Sequence, residues 1–255
     1  MPVLEIEGRT YSCKAILFDK DGTLVHFMAM WGGWTDYVLT FMEERLEMMG
    51  ADFAGYKEQV LGTRHDSTGR VSGYDVQGPL AMGTVEETTG LLAWQLYAAG
   101  MPWNEAIVQV NQITKNAMYE VRQQRPAYPM PGLADFLEQC RLASVPMAVV
   151  TSDQTPGTLE QLRWMELDGF FQVVIGRDQV KNGKPNPEMA ELACQRLGVM
   201  PDEVVVIGDS NGDMQMAKQA GVSLAVGISA ESKDSTHLFD ADVVITHYNE
   251  LKVYC

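Results

Sequence analysis

The sequence predicts an α/β fold: a doubly wound, Rossmann-like parallel sheet with a mostly helical domain inserted into it. Three observations carry this. Short apolar runs alternate with helical stretches from residue 133 to residue 245, the pattern of buried parallel strands covered by helices on both faces. The apolar run Ala15-Ile-Leu-Phe18 ends abruptly in Asp19-Lys-Asp21-Gly-Thr23, as a central strand does where it leaves its sheet. Between that strand and the alternating part, apolar residues recur at helical spacing.

Residues 1–13 read as an edge hairpin or extended lead-in, and Lys14 to Phe18 as a central strand. From Trp34 to Met49 the residues Val38, Phe41, Met42, Leu46 and Met49 keep helical spacing, and Gly50 is placed to stop the helix. The stretch from Gly62 to Gly83 holds glycines at 62, 69, 73, 78 and 83 without sustained periodicity, and reads as a long loop. Thr84-x-x-Glu87 is a capping-box pattern opening a helix that Gly100 closes. A further helix runs from about Asn104 to Arg122, and Pro126, Pro129, Pro131 and Gly132 then break the chain. Beyond them, strands are expected at Met147–Val150, Val173–Ile175, Val204–Ile207, Leu224–Val226 and Val243–Ile245. Helices are expected at Leu133–Ser144, Leu159–Met165, Glu188–Leu197 and Met214–Ala220. The domains are therefore 1–26 with 128–255 as the α/β core, and 27–127 as the insertion.

Composition narrows the function classes. With 46% hydrophobic and 21% charged residues the chain is an ordinary globular one, and no apolar run approaches the roughly 20 residues of a membrane span. The first residues carry acids where an export signal has a basic start, so the expected location is cytoplasmic. Cys13, Cys140, Cys194 and Cys255 are scattered, which suits reduced thiols that serve as packing or surface residues. The net charge of −15, with no basic cluster, disfavours a nucleic-acid polymer or an anionic membrane as partner. A small anion can still bind locally.

Polar clusters follow the later strands. Val149-Val150 runs into Thr151-Ser152-Asp153; after Ile175 a loop presents Lys184 between glycine and proline; Ile207 runs into Gly208-Asp209-Ser-Asn-Gly-Asp213. In a parallel sheet all of them lie at the edge where Asp19 and Asp21 emerge. Alone, each has an ordinary reading: an acid-x-acid turn, a strand-end hydroxyl, a solvated lysine, a first-turn acid favoured by the helix dipole. Together they form a phosphoryl-transfer inventory. Four carboxylates crowd unless a hard cation and the Lys184 ammonium offset them. Thr151, with backbone N–H groups near Asp21 and Ser152, can hold phosphate oxygens. Asp19 can attack phosphorus, and Asp21 can protonate the leaving oxygen and later take a proton from water.

These motifs, Asp19-x-Asp21-Gly-Thr23, Thr151, Gly-Lys184-Pro and Gly208-Asp209-Ser-x-x-Asp213, resemble in order and spacing those of the haloacid dehalogenase-like (HAD) hydrolases. The likeness covers essentially the whole chain, with the insertion where that family places its helical C1-type cap. It implies a Mg2+-dependent phosphatase acting on a small phosphomonoester through an aspartyl phosphate. Asp19 would be nucleophile and Asp21 acid/base; Asp19, the Asp21 backbone carbonyl, Asp209 and Asp213 would serve the metal; Thr151, Ser152 and Lys184 would hold phosphate. The cap would close to exclude water and select the substrate. Asp21 argues against carbon–halogen hydrolysis, whose members lack it, and Thr23 favours a phosphatase over a sugar-phosphate mutase. The motif style is phosphoglycolate-phosphatase-like. Phosphonate hydrolysis would need an imine-forming cap lysine, and Lys57 and Lys115 stand in no recognisable setting for one. The alternatives are a phosphosugar mutase or a non-catalytic binding module. Trp31-Gly-Gly-Trp34 reads equally as a hinge with substrate contacts or as packing, and Arg64 and Arg70 as solvated loop residues before substrate ligands. No histidine is assigned a catalytic role.

Overall fold

A computed structural model describes residues 2–230 and 235–254; Cys255 lies outside them. The chain divides into two compact units, Met1–His26 with Ala127–Cys255, and Phe27–Pro126.

The first unit begins with β1 (Val3–Ile6), β2 (Arg9–Ser12) and β3 (Ala15–Phe18). The second unit holds α1 (Phe27–Met48), α2 (Lys57–Leu61), β4 (Thr63–His65), β5 (Val71–Tyr74), α3 (Pro79–Met82), α4 (Val85–Ala98) and α5 (Trp103–Gln124). The first unit resumes with α6 (Leu133–Leu142), β6 (Met147–Val150), α7 (Thr155–Trp164), β7 (Val173–Ile175) and α8 (Glu188–Leu197). It ends with β8 (Val204–Gly208), α9 (Asn211–Ala220), β9 (Leu224–Ile228), β10 (Val243–Ile245) and β11 (Leu251–Tyr254).

The central sheet has the order β10-β9-β8-β3-β6-β7, and all its pairs are parallel. Its middle strands β3, β6, β8 and β9 are buried at every position, which is why their sequences read as unbroken apolar runs. Alternate residues serve the two faces. Ala15, Leu17, Ala148, Val150, Val204 and Val206 pack with Met189, Ala193 and Met214 of α8 and α9. Phe18 meets Phe136 of α6 and Phe171 edge-on, at centroid distances of 6.2 and 5.9 Å. Both faces being covered, the unit is the α/β doubly wound sheet the sequence predicts.

A second sheet, β11-β1-β2, is antiparallel, with Leu4 opposite Val253. The lead-in hairpin is present; β11 is an addition, four residues of alternating burial that give too little periodicity to be noticed.

The helical unit departs from expectation in two places. The stretch 62–83 is not a long loop: β4 and β5 form an antiparallel hairpin, and α3 follows it. Asp66 closes the hairpin turn by accepting from the backbone N–H groups of Thr68 and Arg70, at 2.7 and 3.2 Å. Strands of three and four residues carry no readable alternation. Helix α1 starts at Phe27, so Trp31-Gly-Gly-Trp34 lies inside it. Two adjacent glycines disfavour a helix by about 1 kcal/mol each, yet Phe27, Met30, Gly32 and Trp34 are all buried, and packing overrides the propensity. The capping box is present: Thr84 Oγ1 accepts from Glu87 N at 3.2 Å, and Thr84 N donates to Glu87 Oε2 at 2.8 Å. No helix among the described residues is long and apolar enough to cross a membrane.

Candidate active site

Three neighbouring strands, β6, β3 and β8, deliver the polar residues. Phe18 stands opposite Val149 on one side and Ile207 on the other, so the chain leaves the sheet at one edge in all three. Asp19 N donates to the Ile207 carbonyl at 2.9 Å, which fastens the first loop to β8 just before Asp209. The loop then turns tightly, Leu24 and Val25 both donating to the Lys20 carbonyl at 2.8 and 3.0 Å. Gly22 sits in the left-handed region at φ +72°, and a Cβ there would overlap the Asp209 carboxylate. Only glycine meets both demands.

Asp209 follows β8, and Ser210 caps α9. Asp213 N donates to Ser210 Oγ at 3.2 Å, while Ser210 N and Oγ donate to Asp213 Oδ2 at 3.1 and 2.6 Å. Asp213 is thereby fixed, almost wholly buried, with its other oxygen turned to Lys184 at 2.6 Å. A Cβ on Gly208 would strike Asp213 Cβ at 2.5 Å, so this approach also depends on a bare backbone. Lys184, from the loop before α8, pairs with Asp19 Oδ1 as well.

Asp19, Asp209 and Asp213 each present an oxygen within 4.8 Å of the others. Burial pushes the Asp19 carboxyl up to about 7, with Asp213 and Asp21 adding to the rise and Lys184 opposing it. Burial likewise drives Asp209 well above the usual carboxylate range, with the charges of Asp19 and Asp213 adding. Burial disfavours the Lys184 ammonium, but Asp19 and Asp213 outweigh it and hold the amine above its ordinary value. One ammonium does not balance three carboxylates once they ionise, and an all-oxygen donor set of this kind fits a hard divalent cation. Asp21 lies outside this cluster.

Thr151 follows β6, buried, its N–H on the Ile175 carbonyl at 3.0 Å and its Oγ1 accepting from Asp153 N at 3.1 Å. Ser152 beside it is partly buried. Supporting contacts not foreseen from sequence come from far along the chain. His237 Nε2 donates to the Asp209 carbonyl at 3.1 Å, Thr23 Oγ1 to Asp209 Oδ1 at 3.4 Å, and the buried Tyr248 hydroxyl to the Thr23 carbonyl at 3.0 Å. Nothing in the local pattern around His237 or Tyr248 marks them. Lys20, between the two acids of the first motif, is wholly buried and paired to Asp21 and Asp153. Its position was the signal, a lysine at the end of a buried strand with an acid on either side.

Cys13, Cys140 and Cys194 are buried thiols. Burial pushes Cys13 up to about 12 and Cys194 up to about 11, so neither is a nucleophile at neutral pH.

The family profile of the haloacid dehalogenase-like hydrolases matches residues 13–221. A phosphorylated carbohydrates phosphatase of Thermotoga maritima is 38% identical over 114 residues, 45% of this chain and 53% of the relative. A phosphoglycolate phosphatase of Salmonella paratyphi A is 26% identical over 249 residues, 96% of this chain and 93% of the relative. The matched segment spans about half the length of the curated relatives with the stronger identity. Among solved structures, the β-phosphoglucomutase of Clostridium difficile superposes with a TM-score of 0.65 at 16% identity, over 93% of this chain and 92% of that one, a likeness of fold. With the family profile reaching from the strand before Asp19 to the helix after Asp213, the chain belongs to the haloacid dehalogenase-like hydrolases.

Proposed function

We propose that the protein is a Mg2+-dependent phosphatase of a small phosphomonoester, phosphoglycolate-like or a sugar phosphate, working through an aspartyl phosphate on Asp19. The observation that carries the reading is the division of the acids. Asp19, Asp209 and Asp213 share one buried cluster with Lys184, whereas Asp21 is held apart by a different lysine. Two kinds of carboxylate suit two roles.

Asp19, Asp209 and Asp213, with the Asp21 backbone carbonyl, would hold the cation. When bound it supplies charge neutralisation for the carboxylates and the incoming phosphate dianion. Lys184 orients the Asp19 carboxylate and meets a phosphate oxygen; Thr151 and Ser152 hold the others. Asp19 attacks phosphorus, the bond to the leaving oxygen breaks, and Asp21 gives that oxygen its proton, releasing the alcohol. Water then attacks the aspartyl phosphate and gives its proton to Asp21, which frees phosphate and restores both acids.

The names of the relatives, a phosphorylated carbohydrates phosphatase and a phosphoglycolate phosphatase, support the same substrate class. The test is phosphate release from a panel of phosphoglycolate, sugar phosphates and nucleotides, with and without Mg2+. Metal-dependent release from one compound class is expected. Transfer of the phosphoryl group between sugar positions without net release would replace the phosphatase with a mutase.

Burial of the cluster has a consequence for stability. Asp19 holds its proton up to about 7 when folded, against an ordinary 3.8. Over that range the folded state binds more protons than the unfolded one, so the Asp19 contribution to the stability of metal-free protein falls as pH rises toward 7. Asp209 acts in the same direction. A divalent cation takes the place of the protons. Addition of Mg2+ is therefore expected to raise the melting temperature little near pH 5 and by roughly 3 °C or more near pH 8. Equal shifts at both pH values would show that the cluster is not where the cation acts.

A further inference from the structure

Lys20 is the second residue of the first motif, and its side chain is 0% exposed. A buried ammonium persists only where its protons are all taken up. Here they are. Lys20 Nζ reaches both carboxylate oxygens of Asp21, at 3.0 and 2.8 Å, Asp153 Oδ2 at 2.8 Å, and Gln161 Oε1 on α7. Three N–H groups meet three acceptor side chains. Gln161 is itself buried, so the ammonium is fixed from the protein interior, while Asp21 and Asp153 reach outward with side chains 19% and 24% exposed.

This arrangement orients Asp21. The residue sits on a tight turn next to Gly22 and two positions from a cluster of three carboxylates. A carboxylate on such a loop has several staggered rotamers open to it. With both oxygens on Lys20, its plane and direction are set.

We infer that Lys20 is a positioning residue: it clamps Asp21, with Asp153 and Gln161 as its anchors, so that the Asp21 carboxyl is aimed at the leaving oxygen of the substrate. The inference rests on the phosphatase reading above. Proton donation demands a heavy-atom approach of roughly 2.6–3.2 Å, so an acid that wanders is an acid lost.

The leaving group separates positioning from simple structural support. An alkoxide departs only with a proton, whereas p-nitrophenolate departs without one, and kcat/KM reports the steps through cleavage of that bond. Lys20→Met is expected to lower kcat/KM for an alkyl phosphomonoester by about 10²-fold or more and for p-nitrophenyl phosphate by less than about 10-fold. Equal losses on the two compounds, or no loss on the alkyl ester, would overturn the inference. Retained cleavage of the nitrophenyl ester certifies the fold. If Lys20→Met does not fold, the double variant Lys20→Met/Asp153→Asn, which removes one charge of each sign, is assayed on the same two esters. The same unequal losses are expected of it, and equal losses or an unimpaired alkyl ester would again overturn the inference. A wild type that releases phosphate from neither compound would remove the phosphatase reading first, and this inference with it.

Discussion

Asp19→Asn is expected to lower phosphate release by on the order of 10⁴-fold or more, because the amide oxygen cannot attack phosphorus and no neighbouring group can replace it. Asp209 and Asp213 are fixed by their own contacts, the latter by Ser210 and Lys184. The same substitution removes one of three crowded carboxylates from a buried cluster. Above pH 7 the metal-free variant is therefore expected to melt no lower than the wild type. Loss of turnover with stability kept would mark an acid retained for chemistry, since functional sites keep locally unfavourable charges. A variant that lost both together would show Asp19 to be a structural residue. One that kept turnover would exclude it as nucleophile.

Lys184→Met should have the largest effect on stability. The lysine is the cation that offsets Asp19 and Asp213, and all three side chains are nearly closed to solvent. Removing one partner of a buried ion pair strands the other charge, at a cost of about 3–5 kcal/mol. Metal-free variant and wild type compared by urea denaturation near pH 8 should differ by about that much. The difference should shrink near pH 5, because Asp19, pushed up to about 7, then takes a proton in place of its lost partner. Mg2+ should recover part of the loss near pH 8 by the same logic. A cost below about 1 kcal/mol at both pH values would mean that solvent, not Lys184, balances the cluster.

What could be read from the sequence follows from how far apart the determining residues lie. Ala15–Phe18, Met147–Val150 and Val204–Gly208 are buried on both faces, so each advertises itself as an apolar run, and each ends in the polar residues that gather at one sheet edge. Asp19 and Asp209 at the strand ends, with Asp213 and Lys184 from the segments that follow, are brought together there. The hairpin of β4 and β5 and the last strand β11 were invisible because three or four residues show no period. The start of α1 was hidden by Gly32 and Gly33, whose local cost is overridden by packing that only the folded unit supplies. Lys20 stands visibly between two acids, but the residue that anchors it is not legible. Its anchor Gln161 lies 141 positions away, and no local pattern records such a pairing.

The proposed division between a nucleophile in the cluster and an acid outside it can be read directly by quenching the enzyme in acid during turnover of p-nitrophenyl phosphate with Mg2+, and mapping its peptides by mass. A phosphoryl adduct is expected on the peptide that contains Asp19, present while substrate lasts, gone once it is consumed, and missing in Asp19→Asn. Steady phosphate release with an adduct on another peptide, or with undiminished release from Asp19→Asn, would contradict a nucleophilic Asp19.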